Sequence, residues 1–241
     1  NIVDRIYTGH MPGEGSLALT GVGVCLPLIM IISAFAALVA SGGAPRASIA
    51  MGKGDHGLAE KLLGGCFTLQ IVISAILTAV MLIFSRDLLL MFGASENTIG
   101  YAADYMRIYA IGTLFVQLTL GMNAFITAQG FATTGMLTVL IGAVANIALD
   151  PLFIYGLGMG VRGAAAATVL SQALSAAWCF LFLRSSKTPL ELSWRTMAPR
   201  KKIMGRIMSL GVADFVMGAT NSAIQTVANR QLGLYGGDLY V

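Results

Sequence analysis

The sequence predicts an all-α fold, a polytopic transmembrane helical bundle, and three observations predict it. Of the 241 residues 56% are hydrophobic and only 11% charged, against about 25% charged in an ordinary soluble domain. A bilayer-spanning helix needs about 20 mostly apolar residues, and uncharged runs of that length recur at Gly15 to Pro45, Leu62 to Ser85, Ile108 to Leu149 and Gly163 to Leu183. Finally, the basic residues gather between alternate runs rather than between all of them.

Each run gives one helix except the third. Asn1 to Tyr7 reads as the end of a helix 1 that began upstream and stops near Gly9; helix 2 then covers about Leu17 to Ser41 and helix 3 Leu62 to Phe84. Ile108 to Leu149 is too long for one crossing, and its break falls at Gln129-Gly130-Phe131-Ala132-Thr133-Thr134-Gly135, where glycines and β-branched threonines interrupt the apolar pattern. Helix 4 is therefore about Tyr101 to Ala128 and helix 5 Met136 to Tyr155. Helix 6 is Gly163 to Leu183, and helix 7 runs from about Ile203 to Leu232, closing at Tyr235-Gly236-Gly237-Asp238. Both chain ends read as cut, and no signal peptide is expected.

Alternation of sides puts the 2–3, 4–5 and 6–7 loops together. They hold Arg46, Lys53, Lys61, Arg184, Lys187, Arg195, Arg200, Lys201, Lys202 and Arg206, while the opposite loops hold little beyond Arg86 and Arg162. By the positive-inside rule the basic face is cytoplasmic. The net charge of +4 is thus topological; contact of Arg200-Lys201-Lys202 with anionic lipid explains that run more cheaply than nucleic acid does. The expected partners are a lipid bilayer and no nucleic acid. Cys25, Cys66 and Cys179 lie in separate apolar runs, as small buried hydrophobes rather than a disulfide or metal set.

An ionisable side chain deep in a helix costs about 2.5 to 3.5 kcal/mol on insertion scales, so its presence points to function. Asp150, in Asn146-Ile-Ala-Leu-Asp150-Pro151, and Asp4, in Val3-Asp4-Arg5, qualify. Asn146 and Asp150 are four apart and share a helix face, and Pro151 removes a backbone donor, freeing a carbonyl beside the carboxylate. Counted from the outer helix ends at about 1.5 Å per residue, Asp4, Tyr105, Asp150 and Thr168 fall in one layer, on the order of 8 Å below those ends. Asn146 lies one turn deeper. Carboxylates, a hydroxyl and a phenol at one depth can enclose a cation or a proton. The alternatives are that Asp4 pairs with Arg5 and that Asp150 is structural, bonded to Asn146. Asp104 and Arg107, three apart, are expected to form a local ion pair, and Asp214 to pair with Arg206 or a neighbour.

Other signals are decoys. Gly158-Met-Gly160-Val-Arg-Gly163 fits G-x-G-x-x-G but follows a long apolar helix, with Arg184 where an acid is required. Gly52-Lys53-Gly54-Asp55-His56-Gly57 lacks the ending of a phosphate loop. His10 and His56 fall on opposite sides. No nucleophile and base set is present, so the chain is not expected to be an enzyme, to carry a cofactor, or to hold a metal beyond a possible Na+ at the acid layer.

Several motifs together resemble one family: Asn146-Ile-Ala-Leu-Asp150-Pro-Leu-Phe-Ile-Tyr followed by Gly160-Val-Arg-Gly163-Ala-Ala-Ala-Ala-Thr168, Val3-Asp4-Arg5, Pro27, Phe92-Gly93-Ala94-Ser95, and Asn123-Ala-Phe-Ile-Thr-Ala-Gln-Gly130. The combination is similar to the multidrug and toxic compound extrusion (MATE) exporters across essentially the whole chain. The resemblance implies a twelve-helix antiporter of two six-helix lobes. This chain would be the N-lobe with its first helix truncated (residues 1–195), then a basic linker and helix 7 of the second lobe (196–241), with the rest of the C-terminal lobe missing. It also implies a cation site at Asp4, Asn123, Asn146, Asp150 and Thr168, with Tyr105 nearby; Asn123 rests on resemblance alone, since its depth is nearer the cytoplasmic end. An internal echo of Val3-Asp4-Arg5 at Asn229-Arg230, with Gly233, Gly236 and Gly237 after it, fits two lobes, but its position equivalent to Asp4 is no carboxylate.

The expected function is H+- or Na+-coupled export of amphipathic, often cationic compounds across the cell membrane, with a multi-pass topology. The alternatives are a lipid-linked precursor flippase of the same superfamily and a non-transporting membrane enzyme or receptor.

Overall fold

The computed structural model describes residues 2–11, 15–185, 188–193, 195–198 and 201–236. Within the basic loops and chain end considered above, Lys187, Arg200, Gly237 and Asp238 lie outside the described residues. The described residues form seven α-helices and no strand: α1 Ile2–Gly9, α2 Gly15–Gly52, α3 His56–Met91, α4 Ile99–Ala128, α5 Ala132–Pro151, α6 Val161–Leu183 and α7 Lys201–Gly236. All but α1 are long and apolar enough to cross a membrane, so the chain is a multi-pass membrane bundle.

Every predicted helix is present, but α2, α3 and α7 outrun their predicted ends. Charge marks where hydrocarbon stops, not where hydrogen bonding stops. The 38 residues of α2 span about 57 Å at 1.5 Å per residue, against about 30 Å of hydrocarbon. The helix continues through Pro45 and Arg46 to Gly52. At the other side of the loop, the Asp55 carboxylate accepts the Leu58 N–H at 2.9 Å and caps α3 well before the first uncharged residue of its apolar run. Past that run α3 bends at Phe84, whose φ and ψ of −108° and 15° leave the helical region, and ends at Met91. The break between α4 and α5 falls at Gln129 to Phe131, inside the predicted segment.

Polar contacts fix which ends lie together. Ser48 of α2 donates to the carbonyl of Ala128 at the end of α4 (3.0 Å), Gln129 accepts the N–H of Leu190 beyond α6 (3.1 Å), and Thr68 of α3 donates to Met197 just before α7 (2.7 Å). The basic loops therefore share one end, as the alternation of sides requires. At the opposite end Asn229 of α7 is buried against Gly93, which follows α3 with φ +107°.

α2 is the hub, flanked by α3, α4 and α7. α7 runs antiparallel to it along a stripe of small residues: Gly42 meets the backbone of Ile207, Gly211 meets that of Leu38, Gly218 meets Ala34, and the Ser222 hydroxyl donates to the carbonyl of Pro27 at 2.8 Å. Close backbone approach of this kind is how helices associate where lipid is as apolar as the side chains. α4 lies against α6 and α3, and α5 against α6. All three cysteines are free and buried, as expected of small hydrophobes. The G-x-G-x-x-G segment is a turn, with Gly158 and Gly160 at φ +64° and +57°.

Candidate functional site

Near the end opposite the basic loops, α1, α4, α5 and α6 each deliver one or two polar side chains into a closed interior. Asp4 and Asp150 are both 0% exposed, and Tyr105 and Thr168 are buried with them. The Thr168 hydroxyl donates to Asp4 Oδ2 at 2.6 Å, and the Tyr105 phenol donates to the same oxygen at 3.2 Å. Asn146 Nδ2 bridges onward, reaching Asp150 Oδ1 at 3.3 Å and Thr168 Oγ1 at 3.4 Å. The two carboxyl groups thus belong to one network, joined through Thr168 and Asn146. Asp4 Oδ1 and Asp150 Oδ2 are buried without a protein donor.

Local sequence explains the placement. Asn146 and Asp150 project from one face of α5, one turn apart. Pro151 cannot donate a backbone bond, and the chain passes straight from it into a π turn, Leu152–Gly156. Gly163 lets the start of α6 close against the backbone of Phe153 in that turn, where any Cβ would collide. α1 is pinned from the same turn: the Tyr155 hydroxyl donates to the carbonyl of Tyr7 at 2.7 Å, and the two rings meet edge to face at 6.2 Å. Within α1 the Thr8 hydroxyl donates to the Asp4 carbonyl at 2.7 Å.

Five of the six candidate residues thus meet in one network. Asn123 does not join them. It lies beside Gly135 at the start of α5, fifteen residues and about 22 Å from Asp150 along that helix, where its carbonyl accepts the Thr127 hydroxyl at 3.1 Å. Two expected ion pairs also differ. Asp104 turns away from Arg107 to Arg162 on α6, with Nε and Nη2 at 3.0 and 3.1 Å from its two oxygens, because the forked guanidinium across the helix interface can grip both oxygens at once. Asp214 is exposed on α7 and makes no ion pair with Arg206 among the described residues. Asp4 makes none with Arg5 either; its partners are Tyr105 and Thr168.

Inward from Asn146 and Thr168, a cavity of about 330 Å³ continues between α4, α5 and α6, lined among others by Thr119, Thr138, Ser171, Gln172 and Ser175. The sequence reading passed over these residues. Their signal is the spacing Thr168, Ser171, Gln172, Ser175, a polar stripe at helical period on an otherwise apolar α6.

Known proteins share this arrangement of helices. The chain is 26% identical over 235 residues to the multidrug export protein MepA of Staphylococcus haemolyticus, covering 98% of this chain and 52% of that protein, and 24% identical to MepA of Staphylococcus aureus over the same share. It matches the solved MATE multidrug transporter DinF-BH, captured in complex with rhodamine 6G, at TM-score 0.93 and 31% identity, over 99% of this chain and 53% of that one. An inward-facing multidrug resistance MATE family transporter of the MOP superfamily matches at TM-score 0.92 and 27% identity, over 99% and 54%. These relatives are transporters, not enzymes, and the chain spans about half the length of each. The MatE family model matches residues 1–152, most of the chain and both buried acids, and the chain belongs to that family.

Proposed function

We propose that the complete protein, of which this chain corresponds to about half, exports amphipathic, often cationic organic compounds across the cell membrane in exchange for H+ or Na+ entering the cell. The buried acid pair carries the reading. Neither Asp4 nor Asp150 has a cationic partner among the described residues, and an unpaired carboxylate taken out of water costs several kcal/mol. Two held in one buried network repel as well. The pair becomes stable when a proton or Na+ sits among its oxygens.

Both ions suit the donor set. A proton can be shared between facing carboxyl oxygens, leaving a single negative charge that the Thr168 and Tyr105 hydroxyls solvate. Na+, as a hard cation, favours oxygen ligands, and Asp4 Oδ1 and Asp150 Oδ2 are the two without a protein donor. Because Asp4 rides on α1 while its partners ride on α4, α5 and α6, ion binding draws these elements together and ion release loosens them. Different ion affinities in the outward and inward states then couple the ion gradient to the position of α1. The hydroxyl-lined cavity beside Asn146 and Thr168 opens within reach of that movement. The names of the relatives, multidrug export proteins and a transporter captured with rhodamine 6G, support a drug-like substrate.

The test is uptake of rhodamine 6G by the full-length protein in inside-out proteoliposomes, with H+ and Na+ gradients imposed separately. Accumulation under one of the two gradients is expected; accumulation under neither overturns the reading.

A further inference from the structure

We propose that the cytoplasmic corner where α2, α3 and α7 meet is a binding site for one anionic phospholipid. A hollow of about 290 Å³ opens there, with Arg46 from the last turns of α2, Lys53 just beyond its end and Arg206 from α7 on its walls. Between these cations lie Ile49, Leu58 and Ile203. Ile49 is 59% exposed and Leu58 41%, so the hollow presents aliphatic surface and positive charge side by side.

None of the three cations has an ion-pair partner among the described residues, whose one salt bridge, Arg162 to Asp104, belongs to the opposite end. The nearby acids are Asp55, whose carboxylate caps α3, and Glu60. Against these two stand Arg46, Lys53, Lys61, Lys201, Lys202 and Arg206, so the corner keeps a strong positive excess. Its depth is set by the sequence: Arg46 directly follows the uncharged run that ends at Pro45, which puts the guanidinium where hydrocarbon gives way to headgroups. Basic pockets between helices on the cytoplasmic side are suited to lipid phosphates. Free phosphate offers the same charge, but it has no use for the exposed Ile49 and Leu58; an acyl chain covers them. A lipid seated there touches α2, α3 and α7 together, and so fastens the cytoplasmic end of α7 to α2. The site is separate from the acid network and does not depend on the proposed transport reaction.

The experiment compares full-length protein in nanodiscs of phosphatidylcholine alone and of phosphatidylcholine mixed with phosphatidylglycerol, with thermal unfolding as the readout and inorganic phosphate as a separate arm. Phosphatidylglycerol should raise the Tm of the native protein and of the control variant Arg86→Gln, whose exposed cation lies at the opposite end of the bundle, by several degrees, and phosphate should not. The variant Arg46→Gln/Lys53→Gln/Arg206→Gln should lose that response. A full response in this triple variant, or an equal response to phosphate, overturns the proposal. Should the triple variant not fold, Lys53→Gln alone serves, with native mass spectrometry counting bound lipid: retention of phosphatidylglycerol equal to native overturns the proposal, and loss supports it.

Discussion

Asp4 and Thr168 stand 164 residues apart in the chain, and the hydroxyl of one donates to the carboxylate of the other at 2.6 Å. This contact ties α1 to α6 across the interior of the lobe. Hydrogen bonds to charged groups contribute about 1.5–3 kcal/mol, and neutral ones about 1. The Tyr105 contact to the same oxygen is longer, at 3.2 Å. Thr168→Val is therefore expected to lower ion-driven dye efflux by roughly tenfold or more, Tyr105→Phe by only a few-fold, and Thr168→Ser hardly at all. Efflux rates of the three variants at equal expression check this order.

Asn123 supplies the opposite test. Its distance from the acid network leaves it no direct contact with an ion held there, so Asn123→Ala should keep the native dependence of efflux on ion concentration. An altered ion dependence in that variant would show that the network reaches much further than the ends of α1, α4, α5 and α6 where the acids lie.

How far the sequence foretold this site depends on the kind of residue. Asp4, Tyr105, Asp150 and Thr168 were legible because an ionisable or polar group in an apolar run stands out, and because helix rise converts residue count into depth. Asn123 shows the limit of motif resemblance: the residue type matches while the depth does not. The partner of Asp104 was not legible either, since Arg162 is distant in sequence and only the packing of α4 on α6 brings the two together. Helix ends beside the basic loops were missed for a physical reason, that α2 and α3 leave the apolar run without ending.

The α2 and α7 stripe carries its own prediction. A Cβ at Gly211 would collide with the carbonyl of Leu38, whereas one at Gly205 meets nothing within 4 Å. Gly211→Leu should pry α7 from α2 and lower the thermal stability of the full-length protein markedly, while Gly205→Leu should leave it close to native. Thermal unfolding in detergent monitors both.

The Asp104 and Arg162 pair should matter little to stability. Its side chains are 36% and 63% exposed, and exposed ion pairs contribute about 0–1 kcal/mol. Arg162→Gln is expected to retain native efflux and to shift the midpoint of thermal unfolding only slightly.

The central claim, that the buried pair of acids exchanges the coupling ion, is tested most directly by ion release. Purified full-length protein is titrated with rhodamine 6G in weak buffer, while a pH indicator and a Na+ electrode record what leaves the protein. The account predicts that the native protein gives up H+ or Na+ as dye binds, and that Asp150→Asn binds dye with no ion release. Release of the same amount from Asp150→Asn as from the native protein would contradict it.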